Sequence, residues 1–426
     1  MKSSKISAVL LFVCLTFLAL GLSPGAVRTK ATVGKTSPPG QSEDLSANPA
    51  ASEAPTGFDD QTNGLVDQAT HDEDKELFAE INTPEKGLGP VYNARSCSEC
   101  HANPVAGGNS QIAELRAGRF DGMKFTEHPG GSLIQMRAID PAIQEQVIDG
   151  NNVRTFRMSP STLGLGFVEA IDDSTLLAIA ANQPKMSDGK IAGQAVQVPI
   201  LESPGKTRVG RFGWKSAHAS LLSFSGDAYL NEMGLTTPLF PNENTSNGRS
   251  VTAFDSVPDP ELGENEDIEV FTRFMRATKA PARDDSLAAT PDAQAGAQLF
   301  ATLGCAICHV PSITTASPGT VINGGAFTVP EALGGKTIRP FSDFLLHDIG
   351  TGDGIVENGG PETRNKIRTS PLWGLRTRTQ LMHDGLSLTV SDAVSRHAGE
   401  AKLVIKKQRK LSDNQKQQLL TFLKSL

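Results

Sequence analysis

Four cysteines in two identical spacings constrain this chain more than any other feature: Cys97-Ser98-Glu99-Cys100-His101 and Cys305-Ala306-Ile307-Cys308-His309, roughly 200 residues apart. Cysteines at i and i+3 lie one helical turn apart on one face, and a histidine at i+4 comes round beneath it. Such a pair can form thioethers to two vinyl groups of one porphyrin, and the imidazole then gives the iron its proximal nitrogen. Paired C-x-x-C could instead build a four-cysteine zinc knuckle or act as a redox dithiol. Neither requires a histidine immediately after both pairs. The pattern therefore points to two covalently bound haem c groups, held by Cys97, Cys100 and His101 and by Cys305, Cys308 and His309. The remaining cysteine, Cys14, falls in the N-terminal leader.

That leader agrees with the haem reading. Lys2 and Lys5 form a charged start, Ile6 to Leu22 is almost wholly apolar, and Ser23-Pro24-Gly25-Ala26 offers small residues for cleavage, so residues 1–26 read as a signal peptide. An uncleaved anchor is the alternative, although the apolar stretch is slightly short of the ~20 residues a span takes. Covalent haem attachment belongs outside the cytoplasm, where free cysteines would oxidise, and a bacterial periplasm is expected. The formal charge of -7 argues against a nucleic-acid partner, because phosphate binding wants a basic face. With 426 residues, 38% of them hydrophobic, the chain can bury two sizeable cores.

Residues 27–57 are rich in Ser, Pro, Ala, Thr and Gly without apolar period, which predicts a disordered linker with order beginning near Phe58. Helices are expected over Asp72 to Ile81, from Ser174, over Ser220 to Met233, over Asp267 to Met275 and from Pro291 to Gly304. Strands at Ala195 to Leu201 and Thr207 to Phe212, joined by Ser203-Pro204-Gly205-Lys206, read as a small hairpin. The tail is the clearest helix: Ser412 and Gln415 form a capping box, and Leu419, Phe422, Leu423 and Leu426 share one face. The polar stretch Thr278 to Thr290 divides an N-terminal haem domain, 58–285, from a C-terminal cytochrome c domain, 286–426.

The sixth position on each iron decides what it can do. A strong ligand leaves a haem that only passes electrons, whereas an open or weakly filled position can bind peroxide. Thr389 and Asp392 mark a helix start, and Ala393 and Val394 share a face with His397. This makes His397 a candidate axial ligand of the second iron, with Met382 as rival. For the first iron His128, His218, Met233 and an open site are all candidates. His71, among Asp72, Glu73 and Asp74, is expected on the surface. His347 and His383 are expected at turns, bonding haem propionates or backbone. The basic run Lys402 to Lys410 reads as a solvated face or a dock for an acidic donor.

Several stretches together resemble the di-haem oxidoreductase family, a relative of the bacterial di-haem cytochrome c peroxidases. They are Gly87-Leu88-Gly89-Pro90 through His101, Arg211-Phe212-Gly213-Trp214-Lys215, Asn231-Glu232-Met233-Gly234, Pro340 through Gly350, Arg368-Thr369-Ser370-Pro371-Leu372-Trp373-Gly374-Leu375, His383-Asp384-Gly385 and Arg396 through Ala401. The resemblance implies a mainly α fold with two cytochrome c-like haem domains, the N-terminal one enlarged by the hairpin. It implies an oxidoreductase in which peroxide reacts at the N-terminal haem and electrons enter through the C-terminal one. His397 stands where relatives carry Met or Tyr, Trp214 matches a tryptophan between the haems, and Glu232 matches a distal glutamate that moves protons. The resemblance also allows a calcium ion between the domains, a small periplasmic cytochrome c or cupredoxin as donor, and a homodimer. An electron-transfer cytochrome, or an oxidase acting on a protein or organic substrate, are the alternatives. Two departures stand out: Phe224 occupies the position of an expected glutamine ten residues after Trp214, and Glu232 comes about two residues early.

Overall fold

The computed structural model describes residues 51–255 and 266–426; the expected leader and most of the expected linker lie outside the described residues. The ordered chain starts earlier than Phe58. Strand β1 (Ser52–Glu53) pairs in parallel with Lys336 and Thr337, and Ala54 is buried. Pairing with so distant a segment leaves no periodic trace in a short polar stretch.

Helices form where the sequence supplies starts and stops for them. Helix α1 (Gln68–Ala79) is capped by the Asp67 carboxylate, which accepts from Thr70 N–H, and α2 (Cys97–Cys100) by Ser96, which accepts from Glu99 N–H. Asp172 caps α3 (Asp173–Met186). Helix α4 (Leu221–Met233) runs from Ser220 to Gly234, which sits at φ 74° with its Cα facing the Val91 carbonyl. Helix α5 is Glu266–Ala277. Helix α6 (Pro291–Leu303) has Thr290 as cap, Pro291 in its first turn and Gly304 at φ 101° as its end. Helix α7 (Val390–Ser395) stops two residues short of His397, and α8 (Asp413–Lys424) carries the complete Ser412/Gln415 capping box. Among the described residues no helix is long and apolar enough to cross a membrane.

The expected hairpin is present, but it is not the largest sheet. Strands β2 (Ala113–Phe120), β3 (Phe125–Glu127) and β4 (Val153–Met158) form an antiparallel sheet in the order β3-β2-β4, with Glu114 opposite Arg157. The hairpin follows as β5 (Gln197–Pro199) and β6 (Thr207–Val209). A mainly α fold with one small hairpin is thus corrected to a helix-rich fold carrying several small sheets. Strand β2 escaped the sequence reading because the residues it turns inward include Glu114 and Arg116, so the expected apolar alternation is missing.

Of the four apolar clusters among the described residues, two are the largest. The larger joins Phe78 of α1, Phe167, Val168, Tyr229 and Met233 of α4, and Phe271 and Phe274 of α5 to Ile313, Ile338, Phe344 and Trp373, so it draws on both sides of the expected 285/286 boundary. The smaller packs Phe300 and Leu303 of α6 against Leu419, Phe422 and Leu423 of α8. The two helices cross at Gly296, where a Cβ would lie 2.0 Å from the Gln418 carbonyl oxygen. His71 is buried rather than exposed, stacked on Phe274 at 5.2 Å, because it lies with Asp74 and Phe78 on the face that α1 turns into the core.

Candidate haem sites

Each C-x-x-C-H segment folds into one tight turn. His101 N–H donates to the Cys97 carbonyl at 2.9 Å, and His309 N–H to the Cys305 carbonyl at 3.0 Å. A phenylalanine from the preceding helix backs each imidazole, Phe78 at 6.4 Å from His101 and Phe300 at 6.2 Å from His309. The four cysteines are free of disulfides. His101 Nδ1 bonds the Gly108 carbonyl at 3.3 Å and His309 Nδ1 the Phe341 carbonyl at 3.0 Å. A carbonyl can only accept, so Nδ1 carries the proton and Nε2 keeps its lone pair for a metal. Burial lowers the pKa of His101; burial, with His397 opposite, pushes His309 down to about 4. Both rings are therefore neutral, the ligating form.

The second site holds a pair of such rings. His397 Nδ1 is tied to the Ala393 carbonyl at 2.8 Å, and its ring centre lies 6.4 Å from that of His309. Metal–imidazole bonds of about 2.0–2.1 Å put two rings on one ion roughly 6.3 Å apart, centre to centre. The spacing fits an iron between them. Met382, the rival, lines the same cavity at φ 68°. Arg368 and Arg378 also line it. Arg368 donates to the Gly213 and Thr369 carbonyls, Arg378 to those of Pro371 and Trp373, and neither meets a carboxylate among the described residues. Burial pushes both down to about 10, and Arg378 Nε has no partner. Two buried guanidiniums without anions call for acidic groups on whatever fills the cavity, and the propionates of a haem meet that need.

His347 anchors this site from the side. Its Nε2 lies 2.8 Å from Asp343 Oδ2 and its Nδ1 2.9 Å from Glu400 Oε2. An imidazole with a carboxylate at each nitrogen must carry both protons to satisfy them. Burial opposes that charge, but the carboxylates win and hold the His347 pKa well above its usual value. His347 thus bonds side chains, not the propionates or backbone expected of it. His383 lines the cavity with burial lowering its pKa.

The first cavity is larger, about 520 Å³ against about 210 Å³. Cys97, Cys100, His101, His218, Phe224, Glu232 and Met233 line it. Among the described residues no second imidazole faces His101 as His397 faces His309. His128 does not line this cavity; its Nε2 lies 2.9 Å from Asn247 Nδ2 and 3.4 Å from Glu145 Oε1. His218 is paired with Asp227 at 3.4 Å. Glu232, in the last turn of α4, is placed by its own carbonyl, which accepts from Asn93 and Ala94 N–H just ahead of the first motif. Its Oε2 is buried without a partner, and burial, reinforced by Glu114, holds its pKa well above the carboxylate range. Phe224 stacks on Phe212 at 5.8 Å, so an apolar ring stands where an amide was expected.

Trp214 lines both cavities, as do Met158 and Ser159. Its Nε1 donates to the Met158 carbonyl at 2.6 Å, its carbonyl accepts from Arg368 N–H at 2.8 Å, and its ring meets His383 edge-on at 6.0 Å. Sequence reasoning missed the charged row beside it. Arg157 pairs with Asp353 at 2.7 Å and with Glu357, and Arg116 joins Glu357 at 3.4 Å. Glu114 and Arg116, alternating along β2, were the available signal.

No curated protein matches the chain. Solved structures that resemble it include hydrazine synthase from Kuenenia stuttgartiensis (14% identity over 95% of this chain and 100% of that one, TM-score 0.39), a MauG-like protein associated with microbial copper homeostasis (15%, 90% and 95%, 0.39) and the diheme peroxidase BthA from Burkholderia thailandensis E264 (13%, 84% and 86%, 0.40). Likenesses at these scores carry no argument. Over residues 138–426, which include the second motif, Trp214, Glu232 and His397 but not the first motif, the chain matches the family described as "Di-haem oxidoreductase, putative peroxidase", and it belongs to that family.

Proposed function

We propose that the chain is a periplasmic c-type oxidoreductase of peroxidase type, with substrate chemistry at the N-terminal haem and electron entry through the C-terminal one. The asymmetry of the two cavities carries this reading. The second has an imidazole on each side, His309 and His397, while the first is roomier and offers His101 together with Glu232, whose buried Oε2 has no hydrogen-bond partner among the described residues. Bound haem supplies a redox-active iron at each site, open to an oxygen ligand wherever a position stays free.

The residues of the chain then divide the work. Cys97 and Cys100 on one side, and Cys305 and Cys308 on the other, fix the porphyrins through thioethers. His397 would hold the second haem iron opposite His309, and an iron so held would pass electrons. At the first site Glu232 holds a proton on its carboxyl at rest. It gives that proton to the departing oxygen of a peroxide and, once ionised, takes one back. Reduction of a peroxide to water consumes two electrons and two protons, the electrons from a small periplasmic cytochrome c or cupredoxin. Trp214 stands on their route between the cavities. A donor surface is favoured beside the second cavity, where Leu386 and Leu388 are exposed and Val404 and Ile405 line the cavity from a helix whose outer face carries Lys402, Lys406 and Lys407.

Electron spin resonance of the oxidised holoprotein tests the asymmetry. One low-spin bis-histidine signal and one high-spin signal are expected, with turnover of hydrogen peroxide on reduced cytochrome c. Two low-spin signals without turnover would leave an electron carrier. Peroxide consumption only with a protein or organic reductant would make it an oxidase of such a substrate. In His397→Gly the second haem alone should turn high-spin, and an unchanged spectrum would remove His397 as its ligand.

A further inference from the structure

Lys215, next to the tryptophan between the cavities, is among the most buried large side chains of the protein. Its Nζ is ringed by four oxygens. It donates to the carbonyls of Thr363 at 3.1 Å, Arg364 at 3.0 Å and Lys366 at 2.7 Å, and lies 3.0 Å from Asp353 Oδ1. Three backbone carbonyls and a carboxylate converging on a dry point are the donor set of a hard-cation site. Here the point is taken by an ammonium.

Calcium, which the family resemblance allows between the domains, does not fit this cage. Its bonds to oxygen run about 2.3–2.6 Å, shorter than any of the four distances. The charge is also spent. Asp353 faces Lys215 on one oxygen and Arg157 on the other, and Glu357 is shared by Arg157 and Arg116, so both carboxylates already have cations. The same cage adjoins Trp214. Arg368, two residues beyond Lys366, donates from its backbone to the Trp214 carbonyl at 2.8 Å and from Nε to the Gly213 carbonyl at 2.7 Å.

We propose that the Lys215 ammonium is a tethered cation that locks segment 353–366 to Trp214 in place of a bound metal ion, and that the oxygen cage takes a monovalent cation once that side chain is cut back. Lys215 is in this sense a positioning residue. The inference leans on Trp214 lying between two haems for its consequence, but not for its chemistry.

Two readings of the di-haem protein test it: the thermal midpoint, which reports the cage alone, and the rate of electron transfer between the haems, which also reports the bridge. In Lys215→Ala both should fall, the rate by about tenfold or more, and both should recover with potassium or methylammonium. Tetramethylammonium, too large for the cage, should restore neither. Lys215→Met, which refills the space with apolar atoms, should be impaired without rescue by any cation. Wild-type protein should hold no stoichiometric calcium and should ignore chelators. A Lys215→Ala protein that behaves as wild type, or that stays impaired whatever cation is added, overturns the proposal. So does wild-type protein that loses calcium to a chelator with a change in its haem spectra. If Lys215→Ala does not accumulate, the metal analysis and chelation of wild type decide. Recovery of the midpoint without recovery of the rate would keep the cage and count instead against Trp214 as the route.

Discussion

Glu232 illustrates how a single residue takes its chemistry from burial. A carboxyl that keeps its proton in the folded state while the unfolded chain ionises costs stability increasingly as pH rises above the ordinary carboxylate value. Replacing it by the neutral amide of the same shape removes that cost. Glu232→Gln should therefore be no less stable than wild type near about pH 7, while peroxide turnover falls about 10²–10⁴-fold. A melt compared with steady-state kinetics separates the two effects, and parallel loss of both would make Glu232 a structural residue. The first site was only half legible at this scale. Cys97, Cys100 and His101 follow from spacing, whereas Glu232 and Trp214 rested on resemblance. Lys215 and Arg368 fell within stretches that carry the resemblance, but no role was legible for them or for Arg378, because a buried cation looks like any surface arginine or lysine until its surroundings are known.

At the scale of elements, the short strand Leu346–His347 shows how an unremarkable pair of residues gains a task. It threads between the second haem motif and the loop after His397. Ala398 N–H donates to the Ile349 carbonyl at 2.7 Å and Glu400 N–H to that of Asp348 at 2.9 Å, and His347 spans Asp343 and Glu400. Its pKa is raised, so the stability it adds is complete below the ordinary imidazole value of about 6.5 and is lost as pH climbs through the raised value. His347→Gln should melt earlier than wild type in the acid half of the range, and the two curves should converge at alkaline pH. Equal curves throughout would show that the ion pairs do not hold the loop. Helices were the legible elements, since their caps and apolar faces are local: Ser412 with Gln415, and Thr290 with Pro291 and Gly304. Strands β2 and β4 were not, because a sheet that turns charges toward a cavity abandons the pattern by which strands are recognised.

Across the whole molecule, Trp214 connects the two cavities through contacts from both halves of the chain. Met158 on β4 accepts from its indole, Arg368 holds its backbone, and His383 packs against its ring. Trp214→Phe keeps an aromatic filler but loses the indole donor. It should slow electron transfer between the haems by an order of magnitude or more and leave each haem's own spectrum unchanged. Flash-induced or rapid-mixing absorption would show this, and an unaltered rate would take Trp214 off the route. The sequence by itself determined what local spacing can encode: two C-x-x-C-H turns with the spacing that haem attachment requires, the helices that frame them, and His397 as a candidate second ligand. Only the tertiary structure decided that His397 faces His309 across one cavity while no described imidazole faces His101, that Glu232 Oε2 is buried without a hydrogen-bond partner, and that Lys215 fills a ring of oxygens. Covalent spacing along a turn is written in neighbouring residues. Distance across a cavity, and the loss of water that sets a group's charge, arise only when remote segments meet.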